Sequence, residues 1–365
     1  MARINVTRSS MPSFEEYVEK IRPLWENRWL SNRGEIHREF EVQLCAYLGV
    51  KYVALFANGH VGLEVPIDAF ALKGEVITTP FTHCSTTHSL VRNGLKPVFC
   101  DVTENDYTLD ADQLERYITE ETSAIMAVHV YGQVCDVDKI QRIADKFHLR
   151  VLYDAAHAFG VKINDIGVGN FGDMSMFSCH ATKVFHTIEG GITVINDENI
   201  MKKIDQLTNF GFTSHESVGF VSTNARMNEF EAAMGVCNLR HIDDEIEKRG
   251  VAAKRYEERL DGVKGIRLIS PQKGVTRNYS YFPVFFDGYK ENRNEIQAKL
   301  EKENIFARKY FFPLTSALDC YAGEYAASIA NTPVAKHAAD CVLTLPMYAD
   351  LTTEDVDKIC DIILR

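Results

Sequence analysis

Val151-Leu-Tyr-Asp-Ala-Ala-His-Ala-Phe159 opens as an apolar run and reaches an acid, Asp154, with His157 three residues further on. A short, continuously apolar run bounded by polar residues reads as a strand buried on both faces. Working outward, six more runs share this character, at 52–56, 75–79, 97–101, 123–130, 173–177 and 191–195. Amphipathic stretches lie between several of them. Within 136–147, for example, Val137, Ile140, Ile143 and Ala144 fall on one face at helical spacing. Strands alternating with helices predict an α/β fold with a mostly parallel sheet covered on both faces. Ligands on such sheets bind beyond the carboxyl ends of the strands, and Asp154 falls there.

A second segment, Phe177-Ser-Cys-His-Ala-Thr-Lys-Val-Phe-His-Thr-Ile-Glu-Gly-Gly191, runs from a strand into a polar turn that presents Ser178 and Lys183 and closes on a double glycine. A carboxylate at one strand end and a lysine at another suit an enzyme that carries pyridoxal phosphate. The lysine amine forms a Schiff base with the aldehyde, and the carboxylate keeps the pyridine nitrogen protonated so that the ring withdraws electrons. Ala57-Asn-Gly-His-Val-Gly-Leu-Glu64 turns from strand into helix. The backbone amides of Gly59 and His60 would then meet an anion at a helix N-terminus.

The 365 residues suffice for two domains, or for a large domain with a smaller companion. A net charge of −11 without a long basic run argues against nucleic acid as a partner. The nine cysteines are scattered, odd in number and never spaced Cys-x-x-Cys, which is neither a disulfide framework nor a zinc ribbon and fits a reducing cytoplasm. The first residues lack the apolar stretch of a signal peptide, and no apolar run is long enough to span a bilayer, so a soluble cytoplasmic protein with no membrane partner is expected. Twelve histidines occur, but without His-Glu-x-x-His or cysteine-rich spacing no metal is expected. The pattern changes near Asn238. A charged amphipathic helix over 239–262 precedes strand-like runs at 266–269, 281–286 and 307–312, mixed with helices at 290–303 and 353–364. This predicts a large domain over 26–240 and a smaller α+β domain over 241–365, packed together because no Gly/Ser-rich linker separates them.

Taken together, these segments resemble the sugar aminotransferases of the DegT/DnrJ/EryC1/StrS family, a branch of the aspartate-aminotransferase fold (fold type I). The matching motifs run from Trp29-Leu-Ser-Asn32 to Tyr348. The resemblance implies that segment 1–25 joins the smaller domain. It also implies that pyridoxal 5'-phosphate is held at its phosphate by Gly59 and His60, where the family has Gly-Thr or Gly-Ser, and by Ser178. Asp154 would then face the ring nitrogen, and His157 the ring hydroxyl. Within Thr79-Pro-Phe-Thr-His-Cys-Ser-Thr86, His83 takes the place of the ring-stacking aromatic, with Phe81 as the alternative if the register slips by two.

Ser222-Thr-Asn-Ala-Arg-Met-Asn-Glu-Phe-Glu-Ala-Ala-Met-Gly235 matches a stretch that enters the neighbouring subunit's site, with Asn224 or Arg226 approaching the phosphate. A homodimer with shared active sites is implied. Segments 306–313 and 345–348 would line the sugar-nucleotide cleft, with Tyr310 and either Arg308 or Lys309 on the diphosphate. His180 and His186 flank Lys183 and would approach the sugar or the donor carboxylate. The implied reaction aminates a nucleotide-linked keto sugar with L-glutamate as donor, and the run after His180 most resembles enzymes acting on a 4-keto-6-deoxy sugar of dTDP. Amination at carbon 3 and a GDP-linked sugar remain alternatives. A sugar dehydratase of this fold would carry histidine in place of Lys183, and a non-catalytic regulator would tend to lose the lysine or the acid. Both are present.

Overall fold

The computed structural model describes residues 3–321 and 323–365. All seven expected runs of the first 200 residues are strands of one sheet. These are β1 (Val53–Phe56), β2 (Glu75–Thr78), β3 (Lys96–Phe99), β4 (Thr122–Val128), β5 (Arg150–Asp154), β6 (Met174–Ser178) and β7 (Gly191–Ile195), in the order β1-β7-β6-β5-β4-β2-β3. β6, β5, β4, β2 and β3 are parallel neighbours, and β7 runs antiparallel to both β6 and β1. The apolar runs are continuous because both faces are covered. Val151 and Tyr153 belong to one core layer and Leu152 to the other, and Ile125 and Met126 divide in the same way. β4 stops two residues before its expected end, where Val130–Gly132 forms a short turn with Tyr131 at φ 58°.

A three-stranded antiparallel sheet follows, formed by β8 (Ile266–Leu268), β9 (Phe282–Phe286) and β10 (Val342–Leu345) with β9 central. Its core unites Tyr256, Val284, Leu300, Leu343 and Ile359, drawn from the strands and from helices Ile242–Leu260, Arg293–Lys302 and Thr353–Leu364. The helix expected over 239–262 begins at Ile242, since Leu239 closes the preceding helix, Glu229–Leu239. The run at 307–312 is not a strand. Arg308 makes a single two-bond bridge to Thr344, and the chain then turns back with Phe312 N donating to Lys309 O. The sheet position goes instead to Val342–Leu345, a run the sequence reading did not single out.

Within the N-terminal segment, the described residues 3–25 divide between the two units. Ile4 pairs with Ile305 and sits in the smaller core, and Met347 N donates to Val6 O. Beyond them, Tyr17, Ile21 and Leu24 pack on the larger core beside Glu229–Leu239. Phe81, Val128 and Tyr131 of the larger unit share one cluster with Tyr281, Phe285 and Ala335 of the smaller, so the units meet through a common aromatic wall.

Candidate active site

A cavity of about 460 Å³ opens against this wall, beyond the carboxyl ends of β1, β2, β4, β5 and β6. Asp154, the last residue of β5, is 4% exposed. Its Oδ2 accepts from Thr86 Oγ1 at 2.6 Å and its Oδ1 from Ala156 N at 3.1 Å. Thr86 is itself paired with the Thr82 hydroxyl at 2.8 Å. The carboxylate is therefore held by two donors, one of them a short charge-assisted bond.

His157 Nδ1 accepts from Tyr131 N at 3.1 Å, which assigns the imidazole proton to Nε2. Burial pushes its pKa well below the usual histidine range, and the neighbouring Lys183 and His83 push in the same direction, so the ring is neutral. It lies parallel to Phe311 and edge-on to Tyr281. His83 caps helix Cys84–Arg92, its Nδ1 accepting from Ser85 N, and it lines the cavity. Phe81 is fully buried against Tyr107, Tyr131 and Phe311 and does not line it.

At the opposite wall, Asn58 caps helix Gly59–Phe70 by accepting from Val61 N. A Cβ at Gly59 would stand 3.1 Å from Ser178 Cβ and 3.2 Å from its Oγ, a tight contact, so glycine eases the close approach of the helix end to the end of β6. One at Gly191 would lie 2.6 Å from Asn58 O, which accounts for the second residue of the double glycine. The His60 side chain turns to Ser85 Oγ (2.8 Å) and Glu64 (3.2 Å), leaving its backbone at the helix end. Lys183 sits in the turn after β6, its N–H donating to His180 O, while Ser9 Oγ holds Ala181 O at 2.6 Å. Lys183 Nζ donates to the Tyr281 hydroxyl at 3.3 Å.

Gly59, His60, His83, Asp154, His157, Ser178, His180, Lys183 and Tyr310 thus line one cavity. His186, Arg308 and the segment 345–348, expected there too, do not, whereas Asn224 is expected at the neighbouring subunit's site. His186 is 2% exposed, with Nε2 facing Ser10 O and its carbonyl accepting from Asn238 Nδ2, because the core residues Val184 and Phe185 carry the chain to the far side of the loop. Arg308 is exposed and commits its backbone to Thr344. Asn224 is exposed beside Arg226, away from this protomer's cavity. In segment 345–348, Leu345, Met347 and Tyr348 are packed in the smaller core. Sequence reasoning missed Thr86, which lay inside a quoted motif without an assigned part, and Tyr281, which nothing in a run of aromatic strand residues distinguished.

The residues fit pyridoxal phosphate. Gly59 at the start of a helix and the hydroxyl of Ser178 line the cavity side by side and would offer donors to its phosphate, and the Nε2–H of neutral His157 would be a donor for its ring oxygen. An amine and a fixed carboxylate lining such a cavity, on this strand order, define an enzyme of the aspartate-aminotransferase fold. The profile of the DegT/DnrJ/EryC1/StrS aminotransferase family matches residues 13–364, and the chain belongs to that family. It is an aminotransferase dependent on pyridoxal phosphate.

Over 357 residues the chain is 40% identical to the dTDP-4-amino-4,6-dideoxy-D-glucose transaminase of Shigella dysenteriae, covering 98% of this chain and 97% of that protein. The Escherichia coli protein of the same name is 39% identical, with 99% and 98% covered. Among solved structures, DesI determined in the presence of its TDP-sugar product superposes with a TM-score of 0.93 at 31% identity, covering 99% of this chain and 92% of that one. Among the described residues no helix is long and apolar enough to cross a membrane.

Proposed function

We propose that this aminotransferase moves the amino group of L-glutamate to the keto carbon of a nucleotide-linked keto-deoxy sugar, with dTDP-4-keto-6-deoxy-D-glucose as acceptor and dTDP-4-amino-4,6-dideoxy-D-glucose as product. The observation that carries the reading is the convergence of Lys183, Asp154, His157, Gly59 and Ser178 on one cleft, in a chain 40% identical to a transaminase named for that product. Bound pyridoxal phosphate supplies the electron sink and carries the amino group between the two half-reactions. Asp154, oriented by Thr86 and Ala156, would hold the ring nitrogen. The Gly59 and His60 amides and the Ser178 hydroxyl would hold the phosphate, and His83 would pack on the ring. The Lys183 amine would hold the cofactor and serve as the group that takes up and returns a proton. His180 and Tyr310, at the mouth, meet the sugar nucleotide.

We further propose a cytoplasmic homodimer in which Asn224 of one subunit completes the phosphate site of the other. The exposure of the 212–224 segment, including Phe212, Val218, Phe220 and Val221, supports a partner there. Two measurements test these readings. Glutamate alone should bleach the yellow enzyme and release 2-oxoglutarate, and the aminated enzyme should then convert dTDP-4-keto-6-deoxyglucose. Conversion only of the 3-keto isomer or of GDP-linked sugars would overturn the substrate assignment. Verified heterodimers of a Lys183→Ala chain and an Asn224→Ala chain should regain partial activity, since one hybrid site carries both native residues. No rescue would count against shared sites.

A further inference from the structure

A second group of donors converges away from the cleft, where the smaller sheet meets helix Pro333–Cys341. Asp287 directly follows β9, and His337 and Cys341 stand one turn apart on the helix. His337 Nε2 lies 3.0 Å from Asp287 Oδ2 and 3.8 Å from Cys341 Sγ, and the three donor atoms all fall within 4.8 Å of one another. A tetrahedral zinc ion, with nitrogen and oxygen at about 2.0 Å and sulfur at about 2.3 Å, spaces nitrogen and oxygen roughly 3.3 Å apart and nitrogen and sulfur roughly 3.5 Å apart. The nitrogen–oxygen and nitrogen–sulfur separations come within about 0.3 Å of these values, and the Asp287 oxygen and Cys341 Sγ, within 4.8 Å of each other, would close to roughly 3.5 Å around the ion. We propose that Asp287, His337 and Cys341 form a binding site for a borderline-soft divalent cation of the zinc type, with solvent in the fourth position. Imidazole and thiolate select such ions over magnesium or calcium. On binding, the S–H bond of Cys341 breaks, its proton passes to solvent and the sulfur–metal bond forms.

The placement of the helix gives the site a consequence. The carboxylate of Asp101, just past β3 in the larger unit, accepts from Val334 N (2.9 Å) and Ala335 N (2.8 Å) at the helix start. Ala335, Ala338 and Ala339 pack into the aromatic cluster shared with Phe81, Tyr131 and Phe311. A metal at the far end would tie the same helix to β9 and so stiffen the wall behind the cleft, independently of the reaction at Lys183. The test is a cadmium titration of the full-length, cofactor-loaded, chelator-treated protein, followed by the ultraviolet charge-transfer absorption of a thiolate–cadmium bond. One equivalent should saturate the band, and zinc should compete it away.

The band should vanish in Cys341→Ser and persist in Cys84→Ser, whose sulfur neighbours His83. His337→Ala should weaken binding by more than the about 10–100-fold loss typical of removing an outer-shell partner. Zinc should raise the melting temperature of the native chain but not of His337→Ala. Absence of the band, its survival in Cys341→Ser, its loss in Cys84→Ser, or unchanged affinity in His337→Ala would each overturn the assignment.

Discussion

Replacing Thr86 by valine removes one hydroxyl from the support of Asp154 and little else. Thr86 is fully buried, so no water can replace the lost donor, and valine keeps the branched shape, so no cavity opens. The lost bond, 2.6 Å to an ionised acceptor, belongs to the class worth ~1.5–3 kcal/mol. Thr82, 2% exposed, also loses its partner, which adds about 1 kcal/mol for a buried polar group left unpaired. The total expected in urea unfolding is therefore about 3 kcal/mol. Asp154→Asn separates the two contributions, because it removes the charge and leaves Thr82 and Thr86 in place. In the double-mutant cycle the Thr86–Asp154 pair should show a coupling of about 1–2 kcal/mol. If looser orientation of the carboxylate costs the transition state ~1.4 kcal/mol, turnover of Thr86→Val falls about tenfold. Additivity of the two substitutions within about 0.5 kcal/mol would refute the reasoning, because independent sites add to that precision.

Lys183→Ala should abolish turnover while circular dichroism and the unfolding midpoint stay native, since a turn lysine packs little; borohydride should then fix no cofactor to the chain, and substantial turnover would exclude Lys183 as the attachment point. Tyr281→Phe keeps the ring contacts with His157 and Tyr310 but removes the hydroxyl 3.3 Å from Lys183 Nζ. It should lower kcat about tenfold, or ~1.4 kcal/mol, with KM for glutamate little changed; an unaltered kcat would mean that the amine is positioned without it. Buried His129, whose pKa burial lowers to about 3, stays neutral in the fold, whereas the unfolded chain takes up the proton below about pH 6.5. The unfolded state then binds more protons, so stability falls with acidification from pH 6.5 toward 3, by up to ~1.4 kcal/mol per pH unit for this group, and His157 adds in the same direction. Urea midpoints unchanged between pH 7 and 5 would contradict this.

The seven strands were legible because burial on both faces leaves a local mark, a short apolar run, that needs no knowledge of neighbours. Lys183, Asp154, His157, Ser178 and Gly59 were legible for a related reason. Asp154 and Ser178 end such runs, Gly59, His157 and Lys183 follow three to five residues after one, and the carboxyl ends of parallel strands lie on one side of a sheet. His186 reads as well as His180 in one dimension, yet the burial of Val184 and Phe185 turns it to the opposite side of the loop. The run at 307–312 looks like a strand by composition, but the edge of the smaller sheet was taken by Val342–Leu345.

Sequence alone therefore determined the alternation of strands and helices, the α/β class and the chemistry of the groups at the strand ends, because periodicity and residue type are local properties. Tertiary structure decided which groups meet. Thr86 reaches Asp154 across 68 positions, Tyr281 reaches Lys183 across 98, and Asp287 reaches His337 across 50. Such contacts depend on how helices and sheets pack. Packing is set by the summed fit of many side chains, and no pattern within either partner's own segment records it.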